Sequence, residues 1–196
     1  MSKISYIILH HAGGIASDNF YDTSKQKFED IERYHQQVVA GEKKWISSLG
    51  LSTAYTYVID YGGKVTQARL DTDLSWHTYA RNNDLGICLI GNFSRFELPK
   101  MPSEAQITAL KPLLKELMER HNIPIANVVG HRIFRDTECP GRNLSEEWIK
   151  GLFKKEEVKE ELRKTQLTLL DKLNQLLTLL KRMLAEKRFG KVFEAK

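Results

Sequence analysis

The 196-residue chain has only two cysteines, Cys88 and Cys139. That excludes the disulfide frameworks on which small secreted scaffolds rely. It also lacks any apolar run near the roughly 18–20 residues of a membrane span. After Lys3, the run "YIIL" is far shorter than the about 7–15 apolar residues of a signal-peptide core. The chain is therefore expected to be cytoplasmic as synthesised, and any work outside the cell needs another exit. A charge excess is missing from most of the length: residues 1–153 carry 18 Lys+Arg against 18 Asp+Glu, whereas residues 154–196 carry 12 against 7. The net charge of +5 thus belongs to the tail. No nucleic-acid motif accompanies it, so no nucleic-acid partner is expected.

What is present divides into two kinds of sequence. "SYIILHH" reads as a buried strand, followed by a polar loop over 12–22. "TSKQKFEDIERYHQQVV" reads as a helix, with Thr23 and Gln26 as its capping box and Phe28, Ile31, His35 and Val38 at helical spacing. "TAYTYVID", "YGGKV" and "VTQARL" read as strand, turn and partner strand. "LGICLIGNF" is a continuous apolar strand of the kind covered on both faces, with Cys88 in its core. Ser103 and Gln106 can cap a helix whose stripe is Ile107, Leu110, Leu114 and Leu117, and Pro112 should kink it. "IANVVGH" returns the chain to the sheet edge. Strands separated by helices, with one hairpin, predict an α/β domain over 1–153: a mixed β-sheet flanked by helices.

Residues 154–196 differ. From Glu156 to Arg188 there is neither Pro nor Gly. Leu162, Leu169, Leu176 and Met183 repeat every seven residues, Leu173 and Leu180 fill the alternate seam, and Leu170, Leu177 and Leu184 widen it. Gln166 and Lys187 interrupt it. This predicts a long amphipathic helix of coiled-coil character. The uses it suggests are docking, self-association, or contact of its basic end with a membrane or envelope surface.

The chemistry-bearing residues cluster at two ends of the domain. "LHH" puts His10 and His11 at a strand end, where alternation lets only one of them face a given site. "GHRIFRDTECPG" holds His131 and Cys139 eight residues apart, with a Pro-Gly turn after the cysteine. Imidazole and thiolate are both good zinc ligands, and a third ligand from "LHH" would make three with one position open, the count of a catalytic zinc. Alone, the His131/Cys139 spacing is equally compatible with a core cysteine and a surface histidine.

Four segments together go further. "LHHAGG", "AYTYVID", "WHTYARNNDLGICLIGNF" and "GHRIFRDTECPG" resemble, in order and spacing, the zinc-dependent N-acetylmuramoyl-L-alanine amidases of type 2, the T7-lysozyme and peptidoglycan-recognition-protein superfamily. The resemblance covers about residues 4–150. It implies Zn2+ on His10, His131 and Cys139, and hydrolysis of the amide between N-acetylmuramic acid and L-alanine of peptidoglycan. His11 would then be packed or hydrogen-bonded elsewhere. It further implies catalytic roles for Tyr55 (with Tyr57 the residue most easily confused with it), for Thr137, where some members carry lysine, and for His77 near the substrate groove. Arg81 and Asn83 lie in the same loop, in reach of glycan or peptide oxygens. Tyr55 and His77 are both candidates for the general acid. Ile133 departs from the acidic residue that many members carry after the "GHR" arginine. The expected substrate is peptidoglycan or a muropeptide, acted on by a phage-type endolysin. The alternatives are a cytosolic amidase recycling wall fragments and a peptidoglycan-binding module without catalysis.

Overall fold

The computed structural model describes residues 3–13, 23–94 and 101–193, with side chains described except over 154–160 and 184–193. The chain divides into two compact units, Met1–Leu152 and Phe153–Lys196.

In the first unit, five strands form one mixed sheet in the order β3-β2-β4-β1-β5. They are β1 (Ile7–His11), β2 (Tyr57–Ile59), β3 (Val65–Gln67), β4 (Leu85–Leu89) and β5 (Val128–Gly130). β1 lies between β4 and β5, parallel to both, in a register that sets His10 beside Cys88 and Ile7 beside Val128. β2 runs parallel to β4 and pairs antiparallel with β3 across the Asp60–Lys64 turn. β4 is buried and without a charged or polar side chain along its whole length, and β1 is apolar and buried over Ile7–Leu9, because parallel strands are covered on both faces. Helix α1 (Phe28–Val39) covers one part of the sheet, Ile31 and Phe28 packing with Ala12, Tyr55, Val58, Cys88 and Ile90. Helix α2 (Glu104–His121) joins at Gln106, whose Nε2 donates to the carbonyls of Ile59 and Ile90.

The mixed sheet with flanking helices agrees with the expected fold class, and the Ser103/Gln106 capping box forms. Two local readings change. α1 begins at Phe28 rather than Thr23, because Lys27 is extended and the Asp30 carboxylate accepts its backbone N–H. Thr23 and Gln26 instead close a short 3-10 turn, Gln26 N–H donating to the Thr23 carbonyl. The buried stripe of α1 is Ile31, Glu32, His35 and Val39, with Val38 exposed. α2 runs through Pro112, which is exposed together with Thr108, so water can satisfy the carbonyl that proline leaves without a donor. The loop read over 12–22 lies, beyond Gly13, outside the described residues.

The carboxyl end of α2 is tied to the strand β3 side of the sheet by Asp71. Its carboxylate accepts from Arg120 Nη1 (2.8 Å), His121 Nε2 (2.7 Å) and Tyr57 Oη (2.8 Å). Burial works against the charge, but the hydrogen bonds from His121, Arg120 and Tyr57 outweigh it and hold the Asp71 pKa below its usual value. A depressed carboxylate pKa contributes stability that is present above the unfolded value, about 3.9, and lost as pH falls through the folded one. Asp71→Asn is therefore expected to cost about 1.5–3 kcal/mol at pH 7. The deficit should shrink towards pH 3, as urea unfolding of both proteins at the two pH values will read.

Helix α3 spans Glu146–Phe193. In the first unit, Ser145 Oγ accepts the Trp148 N–H, and Ile149 and Leu152 are buried. In the second, over 161–183, Leu162, Leu169, Leu170, Leu173, Leu176, Leu177, Leu180 and Met183 are all exposed, so the heptad leucines form an uncovered apolar face. The side chains of Leu184 and Lys187 lie outside the described residues. Among the described residues no helix is long and apolar enough to cross a membrane.

Candidate metal centre

His10 stands near the carboxyl end of β1, where alternation turns it to the opposite side from His11. Its Nδ1 lies 3.5 Å from the Cys139 Sγ, and its ring centroid is 4.5 Å from that of His131. The candidate ligand atoms of His10, His131 and Cys139 all fall within 4.8 Å of one another. Tetrahedral zinc with bonds of about 2.1 Å to nitrogen and about 2.3 Å to sulfur sets such atoms about 3.6 Å apart. The His10–Cys139 separation fits that spacing.

The second observation is an orphan. His131 Nε2 is buried with no hydrogen-bond partner. A buried polar atom without a partner costs free energy unless something completes it. A cation does so when the other donors are two soft or borderline groups, and the donor set therefore fits zinc. The electrostatics agree. Burial first, then the neighbouring His77 and His131, push the His10 pKa well below its ordinary value, and burial followed by Arg135 lowers that of His131. Both rings are thus neutral and able to ligate. Burial pushes the Cys139 thiol up to about 12, partly offset by the His11 backbone N–H and Arg132. Without a cation the thiol keeps its proton, so a metal held here would displace that proton on binding.

The cysteine turn is built by the rest of its segment. Arg132 N–H donates to the Cys139 carbonyl (3.0 Å), and its guanidinium reaches the carbonyls of Glu138, Gly141 and Leu144. Thr137 Oγ1 accepts the Cys139 N–H at 3.2 Å. Gly141 has φ +108, and a Cβ there would sit 2.6 Å from Phe93 backbone, so only glycine lets the turn lie against the segment that follows β4. Ile133 is exposed and contributes nothing to this shell.

Tyr55 packs its ring 5.0 Å from His10 and 5.5 Å from His35, with its hydroxyl at the Cys88 thiol. Burial, then Cys88 and Cys139, raise its pKa far above the ordinary value. A bend at residues 54–56 breaks the strand alternation. Tyr57, two residues on, accordingly turns to Asp71 and away from this centre. His77 is buried against His10, His10 Nε2 lying 2.9 Å from His77 Nδ1. Thus the structure brings together His10, His131, Cys139, Tyr55 and His77, with Thr137 shaping the turn. Arg81 stacks over Tyr6 and Phe134, its charge near Asp84 (3.8 Å), and Asn83 is exposed. Neither lines the adjoining groove of about 550 Å³, whose walls include Trp45, Trp76, His77, Tyr79, Asn82 and Arg135. His11, on the other side, accepts the Phe93 N–H on Nδ1 (3.2 Å), and burial lowers its pKa to about 4.

Supporting residues escaped the reading of the chain. Glu32 of α1 accepts from Ser52 N–H, Thr53 N–H and Thr53 Oγ1, anchoring the segment that carries Tyr55. Glu146 accepts the Gly130 N–H just before His131. Arg69, only 1% exposed, donates to the carbonyls of Thr53 (2.6 Å), Leu74 (2.9 Å) and Trp45 (2.5 Å). Glu32 alone had a signal, since it shares the helical face of Ile31, His35 and Val39.

Comparison with known proteins points the same way. Residues 1–142 match the family profile Amidase_2, described as N-acetylmuramoyl-L-alanine amidase. Peptidoglycan-recognition protein SC2 of Drosophila simulans is 30% identical over 149 residues, 73% of this chain and 71% of that protein. Among solved structures, the endolysin N-acetylmuramoyl-L-alanine amidase LysCS from Clostridium intestinale URNW superimposes with a TM-score of 0.57 at 26% identity, covering 76% of this chain and 82% of that one. A mutant of Drosophila PGRP-LB in complex with tracheal cytotoxin gives 0.55 at 26% identity, over 75% and 80%.

Proposed function

The chain belongs to the N-acetylmuramoyl-L-alanine amidase family, and from that premise we propose that it is a zinc-dependent hydrolase of the amide joining N-acetylmuramic acid to L-alanine in peptidoglycan. The observation that carries this reading is the convergence of His10 Nδ1, Cys139 Sγ and the unpartnered His131 Nε2. These three would hold the metal, and three protein ligands leave a position open. Zinc so held would supply a bound water acidified towards a pKa of about 7 and a Lewis acid for the scissile carbonyl.

The chain's own residues supply the rest. Arg132 and Thr137 keep the cysteine turn rigid, and Glu146 does the same for the strand leading to His131. Tyr55, un-ionised because buried, keeps a proton to donate to the oxygen that gains charge, exchanging the Cys88 thiol for it. The groove beside His77 offers aromatic and amide surface to the glycan or the stem peptide. Intact wall is the substrate we assign, on the likeness to an endolysin; a soluble muropeptide is the other arm, on the likeness to a protein crystallised with tracheal cytotoxin.

The test is metal removal. Protein purified without added metal is expected to carry about one zinc per chain and to release stem peptide from purified peptidoglycan. A chelator should abolish release, and zinc should restore it. Zinc without cleavage of wall or muropeptide would make this a binding module. No zinc before or after addition would sink the metal reading altogether.

A further inference from the structure

His77 has no nitrogen left for a substrate. Its Nε2 lies 3.0 Å from the Asp84 backbone carbonyl, and its Nδ1 lies 2.9 Å from His10 Nε2. A carbonyl oxygen can only accept, so His77 Nε2 must carry the hydrogen. In a neutral imidazole the other nitrogen then holds the lone pair, and His77 Nδ1 accepts. His10 Nε2 is therefore the donor, and the lone pair of His10 is placed on Nδ1, the atom that faces the Cys139 sulfur. One backbone carbonyl, through one buried ring, decides which nitrogen of the next ring is free.

We propose that His77 is a positioning residue: with the Asp84 carbonyl it fixes the tautomer and ring plane of His10, so that Nδ1 is presented to the metal. The proposal rests on the zinc reading for what Nδ1 faces; the tautomer itself is a property of the metal-free protein. Two further observations support it. The His77 ring lies on the bare Cα of Gly86 in β4, where a Cβ would come within 2.8 Å of its Cγ and Cδ2, so the sheet is built with a seat for this ring. The loop that carries His77 also carries its acceptor and is locked from within. Ser75 N–H and Oγ donate to the Asn82 carbonyl (3.0 and 2.7 Å), Thr78 N–H to Asn82 Oδ1 (3.0 Å), Arg81 N–H to Thr78 Oγ1 (2.8 Å), and Asp84 N–H to the Arg81 carbonyl (3.0 Å). The Asp84 carboxylate, for its part, accepts from Ser5 and Tyr6 N–H and pins the loop to the start of the sheet. Outer partners of ligating histidines act in this way in metal sites generally, and their loss costs about 10–100-fold in metal affinity.

The experiment uses the full chain with His77→Leu, His77→Asn and Gly86→Ala. Zinc affinity is read by chelator competition, His10 tautomer by nitrogen-15 NMR of the metal-free protein, and folding by thermal unfolding. In the wild type, His10 is expected as the Nε2–H tautomer. His77→Leu and Gly86→Ala should weaken zinc by about 10–100-fold and mix the tautomers. His77→Asn, whose Oδ1 can still accept from His10, should recover most of both. If folded His77→Leu keeps zinc within about twofold and an unchanged His10 tautomer while cleavage falls, the proposal is overturned in favour of substrate contact. Nδ1–H at His10 in the metal-free wild type overturns it as well. A wild type that binds no zinc but has His10 as Nε2–H defeats the zinc reading and leaves the relay standing.

Discussion

Replacing Cys139 by serine is expected to remove the metal and the activity together. A serine hydroxyl does not ionise near neutral pH, so it offers a weaker and uncharged ligand where the thiolate stood. The site keeps two neutral imidazoles, too few to hold zinc against a chelator. Zinc should fall from about one per chain to a small fraction of that. Peptidoglycan cleavage should drop by at least about 10³-fold, beyond the 10²–10³ that loss of one oxyanion donor typically costs. The fold should survive, because the turn is held by Arg132, Thr137 and Gly141 rather than by the sulfur. Unfolding curves alongside the metal count separate the two effects. Full zinc and full cleavage in Cys139→Ser would place the metal elsewhere.

The second large effect is one of stability. Arg69→Met keeps the apolar stem but leaves the carbonyls of Thr53, Leu74 and Trp45 without their donor. An unsatisfied buried polar group costs about 1–3 kcal/mol. With two of the three only partly buried, the total loss is expected at about 3–5 kcal/mol, a large part of the 5–15 kcal/mol that holds a domain together. Lysine should rescue little, since an ammonium cannot fork to three carbonyls. Urea unfolding reads both variants, and a loss under about 1 kcal/mol for Arg69→Met would show that water replaces the guanidinium.

These two residues mark what the chain disclosed and what it withheld. Strand β4 and the Ile7–Leu9 part of β1 could be read because a strand covered on both faces has to be apolar there, and α2 because Ser103 and Gln106 sit at capping distance. His10, His131 and Cys139 could be read as a set because strand end, histidine and cysteine turn each leave a local mark. Arg69 and Glu32 left little, since their partners are backbone groups supplied by distant segments, and a buried charge is recognised by its partners. The start of α1 was misplaced for a related reason: Thr23 and Asp30 both offer side-chain oxygens to a helix start, and only the extended backbone at Lys27 decides between them. His77 read as a groove residue, which it is, but the engagement of both its nitrogens depends on the fold of its loop onto Asp84.

The position of β1 in the sheet has a consequence for the order in which the protein is completed. The sulfur that His10 faces is made 129 residues after it. The edge strand that carries the chain to His131 pairs directly with β1, so a ribosome-bound chain has an unfinished sheet until that strand emerges. A ring closed over so long a stretch forms only after the intervening chain has been ordered. A chain that stops short of Cys139 therefore never holds the full set. The three candidate ligands would thus come together in a single late step, when the domain is nearly whole.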